Sequence, residues 1–540
     1  MMKSNAGLPS TEYNAALLPQ PVGIPNKYFN SLTAIMLLAL AIRIIAAFFS
    51  KGFAYSDDHF DVIAVAQDWV YGLPVWLNED LPPQHSIFYA GIHYGIFSLL
   101  QSLGFGPESK MLVVRLLHGL YSLLAVYFGY KITRALSNEQ NARLVGLMLA
   151  FIWFMPFMSV RNLVEMVCIP PYLAAFYLLV RRPQNTSYWQ YFSAGALFAF
   201  AFIFRYHTIL FAGGVVLVLL YKMQWRAIIF FGLGFLALAL LILGTIDYVF
   251  FSYPFESVVS YFAFNVNHAQ EYSTGPIYRF LFTILGFMVP PVSVFLLVGY
   301  ARTARLAPML FWGGILFFVA HSLFPNKQER FILPLFPIII ILGVIGWQNF
   351  VRRSGYWQKH RKLLNAGWQF FWILNIIAAV AMAITYSKKS RIAPLVYLSE
   401  QQNLKGILLE FGNHSLKMPP LFYLNRLSGQ AEEFIADPTK KWAPYKSGNP
   451  LPKNFVMVYS LNDKKPLAEL KTEINTNYTP QYIVMVGQDE LEKRLQRIRE
   501  LYPALKRDRT IAPSWYDQVL HLLNPRVHHD EHVRIYQVLP

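Results

Sequence analysis

The chain has 540 residues, 55% of them hydrophobic and only 14% charged, with a net charge of +17 at pH 7 and one cysteine, Cys168. Soluble domains carry roughly 25% charged residues, so a soluble enzyme is excluded, as are disordered and fibrous classes; a lone cysteine excludes a disulfide framework or a cysteine zinc site. The excess positive charge comes with no RNA- or DNA-binding motif, so it is read as the basic cytoplasmic loops of a membrane protein, and nucleic acid is not an expected partner.

Spanning a bilayer takes about 20 mostly apolar residues, with a range of roughly 17–25. Runs of this kind predict membrane helices at 31–49, 111–131, 142–158, 163–180, 188–205, 207–221, 227–247, 279–300, 307–323, 331–350 and 368–386, about eleven in all. The pair 188–221 is interrupted at Arg205 and His207 and reads as two crossings with a tight turn. No cleavable leader pattern opens the chain, so the first run is expected to be an uncleaved helix. Segment 86–105 is ambiguous, its apolar residues being broken by His93 and Gln101. Basic residues gather at Lys131/Arg134/Arg143, Arg181/Arg182, Lys222/Arg226, Arg302/Arg305 and from Arg352 to Lys362. All fall on the side of the N-terminus only if 86–105 does not cross. The positive-inside rule therefore predicts an amphipathic helix lying at the outer surface.

Most of the acids fall on the other side. Fourteen Asp/Glu precede residue 387, six of them between Asp57 and Asp80, and Glu165, Asp247, Glu256, Glu271 and Glu329 also land outside. Carboxylates at a membrane edge are expensive, so this one-sided clustering points to a site there. From about 387 the chain changes character, with the β-like runs FVMVYSL (455–461) and QYIVMVG (481–487) followed by a charged helical pattern. The fold class expected is an all-α polytopic membrane protein, residues 1–386 with a first outer loop at 50–110, carrying a small outer α/β domain at 387–540. The glycines near 487 form no dinucleotide-binding fingerprint.

Three elements carry candidate chemistry. The first outer loop reads AYSDDHFDVIAVAQDWVYGLPVWLNED. Ser56 is placed to cap a helix whose first turn holds Asp57 and Asp58, where negative charge suits the helix dipole; the functional reading makes one carboxylate a general base for an attacking hydroxyl. The second element, 247–280, is dense in Tyr, Phe, Asn and Ser, including Asp247, Tyr253, Asn265 and Tyr272. It suits either sugar rings or an interfacial aromatic belt. The third, HSLFPNKQERFILPLFP (321–337), puts Lys327 and Arg330 at the outer end of a helix, against the charge rule. Such cations need a partner, Glu329 or a bound phosphate, or else they snorkel to the interface.

Together these elements resemble glycosyltransferase family 22, the mannosyltransferases of lipid-linked oligosaccharide and GPI-anchor assembly, within the GT-C class. The family signature HKExRFxxPxxP is met by NKQERFILPLFP at Lys327, Arg330, Phe331, Pro334 and Pro337, with Asn326 and Gln328 in place of its His and Glu. The first-loop acid pair corresponds to Asp57 and Asp58, and Tyr71–Gly72 fits the close of that helix. A later glutamate and histidine of the family's loop are Ala64 and Gln67 here. Asp247, Tyr253, Asn265 and Gly275–Pro276 resemble the loop after a middle membrane helix, and Arg205 with Thr208 a further short motif. The similarity covers about residues 30–340.

The resemblance implies inverting transfer of a sugar, mannose first among them, from a polyprenyl-phosphate donor to a glycan or lipid-linked acceptor, with no cofactor and no metal. Asp57 and Asp58 become the catalytic acids in either order. Lys327, Arg330 and Arg205 are expected at the donor phosphate, and Asp247, Tyr253, Asn265, Tyr272 and Gln328 around the substrates. The departures mark a distant, bacterial relative. A bacterial inner membrane is the expected compartment, or the endoplasmic reticulum if the source is eukaryotic, with membrane lipids as surroundings. Rival readings are a transferase acting directly on protein, a transporter or flippase of lipid-linked sugars, and an anchored protein whose outer domain does the binding.

Overall fold

The computed structural model describes residues 31–77, 86–181, 187–436, 442 and 451–540; Glu79, Asp80 and Arg182 lie outside the described residues. Helix α1 (Leu32–Phe49) starts at Ser31, whose hydroxyl accepts the Ala34 amide and so satisfies one of the free donors of the first turn. The outer segment that follows contains a π-helical stretch, Asp58–Ala64, that runs on into α2 (Val65–Val70). Ser56 is already helical and Asp57 makes no capping bond, so the segment does not begin on the cap expected at Ser56. Gly72, at φ +78°, closes it, a left-handed turn that glycine adopts without steric cost. Then come α3 (Phe88–Ser102), α4 (Pro107–Leu136), α5 (Glu139–Phe151), α6 (Met155–Met158), α7 (Val164–Val167) and α8 (Ile169–Val180). They lead to α9 (Tyr188–Phe204), α10 (Ile209–Tyr221), α11 (Trp225–Ala239), α12 (Thr245–Phe250), α13 (Glu256–Asn267) and α14 (Arg279–Phe287). The series ends with α15 (Val292–Ala301), α16 (Pro308–Leu323), α17 (Phe336–Arg353), α18 (Gly355–Lys359), α19 (Arg361–Ala383) and α20 (Lys389–Ser399).

Every hydrophobic run read from the sequence is helical. Among the described residues five helices are long and apolar enough to cross a membrane: Leu32–Phe49, Pro107–Leu136, Trp225–Phe250, Glu329–Arg353 and Arg361–Ala383. Several other runs are broken where prolines stand, at Pro156, at Pro170–Pro171 and at Pro290–Pro291, because proline offers no amide donor and clashes with the preceding turn. Helix α17 is the centre of the bundle. Its residues from Phe336 to Gln348 are all buried, whereas α1, α11 and α19 expose Leu37, Phe49, Leu233, Leu236, Ile373 and Ile377 on the outside. A helix apolar all round belongs inside such a bundle, and an apolar outer surface belongs against lipid.

The C-terminal part forms a six-stranded sheet in the order β2-β3-β1-β4-β6-β5, with β1 (Gly406–Glu410), β2 (Ser428–Gln430), β3 (Val456–Leu461), β4 (Tyr482–Val486), β5 (Leu505–Ile511) and β6 (Val533–Val538). The first four are mutually parallel, and β6 runs antiparallel to β4 and β5. Alternate residues serve two cores, as the two-residue repeat of a strand requires. Leu408, Tyr459, Ile483 and Met485 face one. Ile407, Leu409, Val458 and Val484 face the other, which they share with Phe53, Ile63 and Ala66 of the outer segment and Phe97 of α3. Phe97 meets Phe422 with ring centroids 5.4 Å apart, so segment 86–105 lies beside this domain. The expected architecture, a helical membrane body carrying a small α/β domain, is the one found.

Candidate active site

A cavity of about 330 Å³ opens where the π-helical stretch, α7, the end of α9, α13 and the segment 326–331 meet. Asp57, Asp58 and Asp61 all line it, as do Arg205, Asn265, Tyr272, Gln328 and Arg330. Arg330 forms an ion pair through Nη2 with the Asp57 carboxylate, and its Nε donates to Gln328 Oε1 at 3.0 Å. Arg330 and Arg205 flank Glu165, with Nε at 3.8 Å and Nη1 at 3.0 Å from the same carboxylate oxygen. Glu165 exposes no surface at all. The Phe331 ring lies under both guanidinium groups, 4.8 Å from that of Arg205 and 5.4 Å from that of Arg330, so planar cations are stacked as well as paired.

Four carboxyl groups thus surround two guanidinium groups, an excess of negative charge if all were ionised. Burial, then the nearby Glu165, raises the Asp58 carboxyl well above its ordinary range, while Arg330 pulls the other way. Burial and the charge of Asp57 push Asp61 up to about 7. The Asp58 backbone carbonyl accepts a hydrogen bond from the Asn162 amide. The next residue, His59, lies between Phe53 (4.7 Å, 14°) and Tyr423 (5.5 Å, 11°) in a three-ring stack.

Local pairing explains how the second and third elements reach the cavity. Thr274 bridges Asn326 in antiparallel fashion, and the Lys327 amide donates to Ser273 O at 2.7 Å. This brings Tyr272 to the rim, with Asn265 one element earlier on α13. Lys327 itself is not among the residues of the cavity wall. Its ammonium donates to the carbonyls of His321 (3.1 Å), Ser322 (2.9 Å) and Phe324, where a helix leaves acceptors unpaired and carries partial negative charge. Burial lowers its basicity. Glu329, considered as its partner, pairs instead with Arg279 at 2.7 Å.

Asp247 also stands behind the wall. Its Oδ2 accepts from the Ser257 amide (3.0 Å) and hydroxyl (2.6 Å), and that hydroxyl lies 2.9 Å from Tyr206, which does face the cavity. Tyr253 is half-exposed in the turn before α13, away from the wall. Among the wall residues to which the sequence assigned no role are Asp61, Tyr261 and Glu165. A carboxylate inside the apolar run 163–180 was the available signal for Glu165.

A membrane-type helical body with acidic and basic groups sharing one cavity defines a class, and comparison with known proteins agrees with it. The chain belongs to the Alg9-like mannosyltransferase family, whose model matches residues 34–407. Among curated relatives, it is 24% identical over 230 residues to GPI mannosyltransferase 3 of Kluyveromyces lactis, covering 39% of this chain and 38% of that protein. It is 23% identical over 326 residues to GPI mannosyltransferase 3 of Candida albicans, covering 57% of this chain and 62% of that one. The matched stretch thus spans less than two thirds of either relative's length. The fold is similar to the crystal structure of ArnT from Cupriavidus metallidurans bound to undecaprenyl phosphate, with a TM-score of 0.56, 15% identity, and 94% of this chain and 98% of that one covered. The apo form of ArnT gives the same TM-score at 14% identity, with 93% and 97% covered.

Proposed function

We propose that this chain transfers a sugar, mannose by family, from a polyprenyl-phosphate donor to a hydroxyl of a glycan or lipid-linked acceptor. The reaction takes place on the outer face, periplasmic or luminal, and inverts the anomeric carbon. The observation that carries this reading is the ion pair of Arg330 with Asp57 inside a cavity that Arg205 also reaches. The donor phosphate takes the place of Asp57 against Arg330, with Arg205 beside it, and these two guanidinium groups stabilise the charge that grows on the leaving phosphate. Freed from Arg330, Asp57 accepts the proton of the acceptor hydroxyl. That oxygen bonds to the anomeric carbon as the bond to phosphate breaks, and the phosphate leaves as an anion without needing an acid. Asp58 orients or shares the base role, and Asn265, Tyr272 and Gln328 are placed to meet the sugars. Lys327, held by three carbonyls, acts on this site by shaping the 326–331 segment.

The test is transfer by the purified protein in proteoliposomes, supplied with polyprenyl-phosphate-mannose or polyprenyl-phosphate-glucose and a panel of acceptors, with product read by mass. Asp57→Ala and Arg330→Ala should each lower the rate by at least about 100-fold, the usual loss for a group that stabilises developing charge. Near-normal product from both variants would falsify the assignment.

A further inference from the structure

We propose that His414, Asp489 and His529 form a binding site for a divalent transition-metal ion of the zinc type, on the C-terminal domain and separate from the cavity. One ligand atom from each of the three lies within 4.8 Å of the other two. His414 Nε2 stands 3.9 Å from Asp489 Oδ2, and the two imidazole centroids are 4.4 Å apart. Zinc binds His nitrogen and carboxylate oxygen at about 2.0–2.2 Å, which brings tetrahedral ligands to about 3.3–3.5 Å from one another. Small rotations of the exposed Asp489 and His529 side chains close that difference. Three protein ligands leave a fourth position for water.

The topology explains why three loops meet there. Strand β1 lies between β3 and β4, so the chain leaves it to one side and later returns to the other. The crevice beyond the carboxyl ends of strands at such a switch point is where sheets of this kind collect ligands. His414 follows β1, Asp489 follows β4, and His529 precedes β6, whose start pairs with the end of β4. The left-handed turns at Gly412 (φ +57°) and Gly487 (φ +84°) bend the first two loops back over the edge. The Gly487 amide donates to His532 O at 2.8 Å, holding the third loop beside the second.

The surroundings tolerate a cation. Arg494 lies close to His414, but Glu410 accepts from its Nε at 3.0 Å in a buried pair. Lys417 faces Glu531 at 3.9 Å. In the run His528-His529-Asp530-Glu531-His532, Asp530 accepts from His532 (2.6 Å) and Glu531 from Ser390 (2.5 Å), which leaves His529 to turn toward the ion.

The experiment uses the full chain in detergent, its affinity tag removed and its metal stripped by chelator, then titrated with Co²⁺ and Zn²⁺. One ion per chain is expected, with visible absorption from four-coordinate Co²⁺ that Zn²⁺ abolishes and millimolar Mg²⁺ does not. His414→Ala and His529→Ala should each weaken binding at least tenfold, while His360→Ala, remote on the membrane body, leaves it unchanged. If His414→Ala fails to fold, Asp489→Asn and His529→Gln at exposed positions decide the same question. No stoichiometric ion on the unmodified chain, or undiminished binding in the folded variants, removes the site.

Discussion

Glu165 is the residue on which the charge balance of the cavity turns, since it faces Arg205 and Arg330 at once and is shut off from water. Removing one partner of a buried ion pair commonly costs about 3–5 kcal/mol, because the remaining charges stay buried without compensation. Glu165→Gln is therefore expected to lower the melting temperature in detergent and to weaken the donor site together with it. Asp61 makes the opposite prediction. Its carboxyl, ordinarily at 3.8, is raised to about 7, so the fold favours the protonated form. The stability this contributes is complete below about pH 3.8 and is lost as the pH rises through 7. Asp61→Asn should melt roughly a few degrees higher than the unmodified chain at pH 8 and scarcely differently at pH 4. At this scale the sequence was legible where residue type and membrane side agreed: Asp57, Asp58, Arg205 and Arg330 all stand on one cavity wall. Lys327 stands behind that wall on three carbonyls, and a cation that satisfies a helix end looks, in sequence, the same as one that faces a ligand. The task of Glu165 was hidden because its two partners are far along the chain.

At the level of elements, the hydrophobic runs gave helix positions well, since burial in lipid leaves a long and unambiguous signature. What they could not give was the π-helical stretch at Asp58–Ala64, which depends on how the outer segment seats against α3 and the sheet domain. Nor could they show which glycines are contacts between helices. A Cβ on Gly346 of α17 would lie 1.9 Å from the Gly299 carbonyl of α15, and one on Gly299 would lie 2.0 Å from the Gly343 carbonyl. Helices meet this closely only through small residues. Gly346→Ala should destabilise the bundle by about 1–3 kcal/mol, the usual cost of overfilling an interior, as read by thermal aggregation in detergent. The capping role of Lys327 gives a sharper distinction. Lys327→Met should lower thermal stability and reduce kcat with little change in KM for the donor, whereas a direct phosphate ligand would raise that KM.

On the scale of the whole molecule, the outer segment and the sheet domain are one hydrophobic body, with Phe53, Ile63 and Phe97 buried beside Leu409, Phe422 and Val484. The sequence showed two compositions and not this union, because interfaces between remote segments leave no period in either. Tyr423 is not among the residues of the cavity wall, yet it closes the stack on His59, the neighbour of Asp58. Tyr423→Ala is expected to lower kcat several-fold with donor KM nearly unchanged, and Tyr423→Phe to restore it. The same stack bears on biogenesis. His59 leaves the ribosome early and Tyr423 hundreds of residues later, so a nascent or prematurely terminated polypeptide holds Asp57 and Asp58 on an unfastened strap. On the proposed function, a copy that stops short of Tyr423 is expected to transfer no sugar, which a truncation assayed in proteoliposomes would show.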